Sequence, residues 1–170
     1  DFYFLHKLIP QGGFNSAQQP VVYPSARIST RVPFGTGRAM LEQEQGRKDF
    51  SLLYNPDIFH ELKAIHSRLE KIYAGAFPSA FSDFLKAFPK LEKSLNALRQ
   101  RSHSYASFAN NFFYWWDGFK VLQYVHFRQR THSDLPSAQA CNHLLGIDEK
   151  GEKLLEKLRE LEKLREPGYI

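Results

Sequence analysis

Histidine, cysteine and acidic side chains are the first candidates for chemistry in this 170-residue chain. His60, Glu61 and His66 resemble the zinc-binding pattern in which two histidines lie four residues apart on one helical face. Here Ala64 occupies the position of the second histidine. Two helical side chains six residues apart point about 240° away from each other and cannot share a metal ion from one face. These residues therefore predict no metal site.

A second set of ligand types for zinc or haem iron follows later in the chain, and it consists of His126, His132, Cys141 and His143. A loop could bring these side chains together around one ion. However, a single residue separates Cys141 from His143, which is shorter than the usual spacing in zinc sites, and the chain has one cysteine only. We keep this metal site as an alternative and predict no cofactor.

The remaining residues match no known catalytic motif. Cys141 has no histidine whose spacing argues for a nucleophile and its base. The turn Gly35–Arg38 resembles a phosphate-binding turn, but it lacks the lysine followed by serine or threonine that a P-loop needs. The chain is therefore not predicted to be an enzyme, although a helical enzyme or carrier with an aromatic-lined ligand cavity remains an alternative.

Arginine residues occur beside aromatic residues in two segments, an arrangement that can bind phosphates and stack bases. The net charge of +5 is modest for a nucleic-acid-binding protein, and no known RNA- or DNA-binding motif is present. RNA binding, for example by a ribosome-associated protein, is therefore an alternative function. Its candidate residues are Arg27, Arg31, Arg38, Arg99, Arg101, Arg128 and Arg130.

The elements that must position these residues are helices, because apolar side chains recur every three or four residues from residue 55 onward. Asn55 and Pro56 are good starting residues for a helix that ends before Gly75. Further helices are expected at about 79–88, from Pro89 with a break near 102–104, at 137–145 and at 148–166. This pattern predicts an all-α helical bundle of about five helices.

Residues 105–127 are expected to form the central helix of this bundle, because aromatic residues lie on most of its sides. Its polar residues argue against a helix that spans a membrane. Its main apolar stripe would consist of Phe108, Phe112, Trp115, Phe119, Leu122 and His126.

The first fifty residues have a different character, since proline and glycine interrupt any regular pattern while aromatic side chains recur between them. We therefore expect an extended, irregular amino-terminal arm over 1–50 and a helical domain over 51–170. Extended segments of this kind contact much surface per residue. The residues expected to contact a partner are Phe14, Tyr23, Arg27, Arg31, Phe34, Arg38, Trp115 and Trp116.

The arm and the aromatic helix together predict a non-catalytic helical subunit or adaptor, anchored among the protein subunits of a larger assembly. RNA is the alternative partner. The sequence starts at Asp1 rather than at a methionine, which fits the removal of a targeting peptide from an organellar protein and fits a trimmed sequence equally well.

Overall fold

The computed structural model describes residues 8, 27–31, 35–47, 49 and 51–163, with side chains as far as Leu161. The predicted all-α class is confirmed, but the predicted count of about five helices is wrong, because these residues alone form nine. The bundle arrangement itself remains a prediction. The helices are α1 (Thr36–Glu44), α2 (Pro56–Ser67), α3 (Leu69–Tyr73), α4 (Ser79–Ala87), α5 (Pro89–Arg101), α6 (Tyr105–Trp115), α7 (Gly118–Arg128), α8 (Ser137–Leu145) and α9 (Gly151–Lys163).

The helix expected between Asn55 and Gly75 is divided into α2 and α3 by Arg68, whose φ of −117° is not helical. Its start agrees with the prediction, since the Asn55 side chain accepts a hydrogen bond of 3.0 Å from the backbone N–H of Asp57. Gly75 follows the last turn with a φ of +95°, a conformation that favours glycine. One face of both helices is buried, through Ile58, Leu62, Ile65, Leu69 and Ile72.

The expectation of one central helix over 105–127 is wrong, because the chain breaks at Trp116 and Asp117 into α6 and α7. Asp117 caps the start of α7: one carboxylate oxygen accepts from the backbone N–H of Lys120 at 3.0 Å, and the other pairs with the Lys120 ammonium at 3.0 Å. The break turns the second helix relative to the expected stripe. Phe119 is consequently exposed, while Tyr124 and Val125 are buried.

Residues Tyr54–Ser133 form one compact unit, which we call the first unit. It contains α2 to α7, and its core is unusually aromatic. Phe81 and Phe84 from α4 belong to the same hydrophobic cluster as Phe112 from α6 and Tyr124 from α7, and all four side chains are fully buried. Aromatic rings of this size each remove a large apolar surface from water.

The second unit combines the described residues between 27 and 53 with those from Asp134 onward. A two-stranded antiparallel ribbon joins its two chain segments, with β1 (Leu52–Leu53) paired to β2 (Leu135–Pro136). After α8 ends at Gly146, the Asn142 side chain holds the connection to α9, donating to the carbonyl of Glu149 at 2.7 Å and accepting from its N–H at 3.3 Å.

The predicted boundary between an arm (1–50) and a helical domain (51–170) remains a prediction, because most of the arm lies outside the described residues. Within it, the described residues Thr36–Glu44 form the helix α1. No helix in the described part of the chain is both long enough and apolar enough to cross a lipid bilayer.

The cap at Asp117 yields a stability prediction. Asp117→Ala removes the acceptor for the Lys120 N–H, and we expect the free energy of unfolding to fall by about 1 kcal/mol. Asp83→Ala is the matched control, because Asp83 pairs with Lys86 at 3.6 Å on an exposed surface and such pairs contribute less than about 0.5 kcal/mol. Urea unfolding measures both, and equal losses would contradict the capping role of Asp117.

Candidate interaction surface

The two tryptophans expected to bind a partner occupy different environments. Trp115 is partly buried, and its indole N–H donates to the Ser94 hydroxyl at 2.8 Å. The ammonium of Lys120 lies 5.8 Å from the centre of its ring. Trp115 therefore lies at the edge of the first unit, where one part of the ring is accessible.

Trp116 is only 4% exposed and packs in the core of the first unit. The rings of Phe81 and Phe84 stand nearly perpendicular to it, with ring centres 5.4 and 6.0 Å away. Its indole N–H has no hydrogen-bond acceptor among the described residues. Trp116 has the environment of a core residue, and a direct role in partner binding remains a prediction.

Three accessible aromatic residues lie near the break between α6 and α7, and none of them was among the residues expected to contact a partner. Phe113 and Tyr114 at the end of α6 are 49% and 62% exposed, and Phe119 at the start of α7 is 48% exposed. We call these three residues the exposed aromatics. The sequence pattern that could have indicated them is a helix with apolar residues on most of its sides. This pattern does not reveal which side stays exposed.

Phe113 also contacts α2, where the ring of His66 packs edge-on against it with ring centres 5.8 Å apart. Burial lowers the pKa of His66 from its ordinary value of 6.5. Protonation of the His66 ring is therefore less favourable in the folded chain.

An aromatic groove, which we call the α7 groove, follows one face of α7. It encloses about 260 Å³ and includes Phe88 from the connection between α4 and α5. The ring of Phe127 meets Phe88 edge-on at 6.0 Å, and the Arg130 guanidinium lies 6.0 Å from the centre of the Phe127 ring. The lining residues are Phe88, Phe119, Leu122, Gln123, His126, Phe127 and Arg130.

Three of the arginines expected to contact a partner or RNA are engaged within the protein. Arg38 pairs with Glu42 at 2.9 Å. Arg99 donates to the Tyr73 carbonyl at 3.0 Å and lies over the Phe77 ring, and Arg128 pairs with Glu61. The other four candidate arginines, Arg27, Arg31, Arg101 and Arg130, are exposed and form no ion pair with any described residue.

Glu61 on α2 is the centre of the main polar cluster of the first unit. Its carboxylate accepts from the Tyr124 hydroxyl at 2.9 Å and from two nitrogens of Arg128 at 2.7 and 2.6 Å. Burial, reinforced by the bond to Glu61, raises the pKa of Tyr124 well above its ordinary value. The hydrogen bond to Glu61 also raises the pKa of Arg128. Such groups connect α2 to α7, and they are poorly suited to exchange protons near neutral pH.

The four residues of the alternative metal site divide between the units. In the first unit, His126 contacts the Tyr54 hydroxyl at 3.3 Å, and His132 lies 3.8 Å from the Glu61 carboxylate. In the second unit, Cys141 is half-buried and His143 is exposed on α8. A metal site that combines them remains a prediction.

Three of the expected partner-binding residues, Phe14, Tyr23 and Phe34, lie outside the described residues. Comparison of the chain with protein-family models, with curated proteins and with solved structures found no match. The function is therefore inferred from the described surface of the protein.

The Glu61 cluster predicts a large effect on stability. Glu61→Ala would leave Arg128 and the Tyr124 hydroxyl without their acceptor in a mostly buried position, and we expect the free energy of unfolding to fall by about 3 kcal/mol. Tyr124→Phe removes one bond and should cost about 1 kcal/mol. The exposed Glu70 on α3 supplies the control, and Glu70→Ala should change stability by less than about 0.5 kcal/mol. A small loss in Glu61→Ala would show that the cluster does not hold α2 to α7.

The lowered pKa of His66 predicts a pH dependence. The unfolded chain takes up a proton at His66 more readily than the folded chain, so the protein should lose stability as the pH falls below about 6.5. His66→Gln should reduce the difference between the unfolding free energies at pH 7 and pH 5. An NMR titration of the His66 ring with a midpoint at or above its ordinary value would refute this prediction.

Proposed function

We propose that the chain is a non-catalytic helical subunit or adaptor that binds a partner protein through the exposed aromatics of α6 and α7. One observation supports this above all. Three large aromatic side chains, each about half exposed, lie within positions 113–119, although Phe112 and Tyr124 on the same helices are completely buried.

Exposing three large aromatic rings to water is unfavourable, which favours a partner that covers them. Single apolar residues are common on protein surfaces, but a cluster of large ones is a feature of binding sites. Burying the exposed half of each ring would contribute about 2 kcal/mol at roughly 25 cal/mol per Å². Aromatic residues with few rotatable bonds also lose little conformational entropy when they are immobilised in an interface.

The polar groups of the first unit agree with a binding role. The Glu61 carboxylate is saturated by Tyr124 and Arg128, so it has little capacity left to act as a general base. The aromatic rings pack against one another in the core. This packing is more typical of a rigid scaffold than of a carrier with an internal ligand cavity.

The proposal predicts that the protein, isolated from its native source, elutes with a mass above the chain's own 19.8 kDa in size-exclusion chromatography with light scattering. The double variant Phe113→Ala/Tyr114→Ala should dissociate the assembly, because it removes much of the apolar contact area. Leu155→Ala, at an exposed position on α9, is the matched control and should leave the assembly intact.

Two results would contradict the proposal. A chain that elutes alone in every extract would leave no partner to bind. An assembly that dissociates on treatment with ribonuclease and forms again with RNA alone would favour RNA binding through the exposed candidate arginines.

A further inference from the structure

The α7 groove has the geometry of a site for a partner helix. On α7 and the turn after it, its lining residues lie at positions 119, 122, 123, 126, 127 and 130, the spacing that places side chains on one helical face. Such a stripe is about 16 Å long at 1.5 Å per residue, which corresponds to three turns of a partner helix. Phe88 closes one side of the groove with a second aromatic wall.

The charges around the α7 groove select the chemistry of the partner. No lining residue is acidic, and the two lining residues that can carry charge are Arg130 and His126. Arg130 is exposed and forms no ion pair with any described residue. The lysine and the arginine of α7 itself, Lys120 and Arg128, are paired with Asp117 and Glu61. The unneutralised positive charge of this helical region therefore lies at the groove.

We infer that the α7 groove binds an acidic amphipathic helix of the partner protein. Apolar side chains at positions i, i+4 and i+7 of that helix would enter between Phe88, Phe119 and Phe127, and its carboxylates would pair with Arg130. Aromatic walls supply the affinity, and the cation sets the preference for acidic over basic helices. This inference rests on the proposed function and adds the chemistry of the partner to it.

The test uses the full chain and two synthetic helical peptides of about 18 residues. Both carry leucine at i, i+4 and i+7; the remaining surface positions are glutamate-rich in one peptide and lysine-rich in the other. Fluorescence anisotropy should show binding of the acidic peptide at least about tenfold tighter than that of the basic peptide. The preference should decrease as the salt concentration rises.

Variants locate the binding on the groove. Phe119→Ala and Arg130→Glu should each lower the affinity for the acidic peptide by about tenfold. Arg101→Glu changes an equally exposed arginine at the end of α5 and should alter the affinity less than about twofold. Thermal unfolding checks that each variant is folded. If Phe119→Ala is not folded, the Arg130→Glu variant, which changes an exposed residue, tests the groove by itself.

Several outcomes would overturn the inference: equal affinity for the two peptides, unchanged binding in Arg130→Glu, self-association of the chain that Phe119→Ala abolishes, or displacement of the peptide by an RNA oligonucleotide. The proposed function would survive these results if Phe113→Ala/Tyr114→Ala still dissociated the native assembly, so the two failures can be distinguished. Loss of both effects would refute the proposed function as well.

Discussion

Aromatic packing around Phe84 is the constraint on which the first unit depends. Its ring meets Phe88 at 5.0 Å, Tyr124 at 5.2 Å, Phe127 at 5.6 Å and Trp116 at 6.0 Å between ring centres. These rings come from the connection between α4 and α5, from the break between α6 and α7, and from α7 itself. One buried ring therefore fixes how three chain segments meet, and interiors of this density tolerate little displacement.

The same packing accounts for the aromatic residues that stay exposed on the surface of the first unit. Trp116 and Tyr124 both pack against Phe84, and the chain breaks between α6 and α7, where Asp117 caps the new helix start. The face that carries Phe119 is then directed away from the core. The exposed aromatics and the α7 groove are thus consequences of how the core is filled. They are the surface on which the proposed partner binding depends.

Electrostatics adds selectivity to this apolar surface. Glu61 neutralises Arg128 while it accepts the Tyr124 hydroxyl, and Asp117 neutralises Lys120. Internal pairing therefore removes most of the cationic character that α7 has in the sequence. Arg130 remains exposed beside Phe127, where a charge can pair with an acidic partner without the cost of burying it alone.

Local patterns in the sequence determined much of the helical structure. The Asn55 cap, the buried face of α2 and α3, and the bounds of α8 at residues 137 and 145 all follow from interactions within a few residues. The break at Asp117 does not, since the stripe through Trp115, Phe119 and Leu122 is compatible with one continuous helix. Packing of Trp116 against α4 decides against it. The pairing of Glu61 with Arg128 spans 67 positions, so only the tertiary structure could decide which cations remain available on the surface.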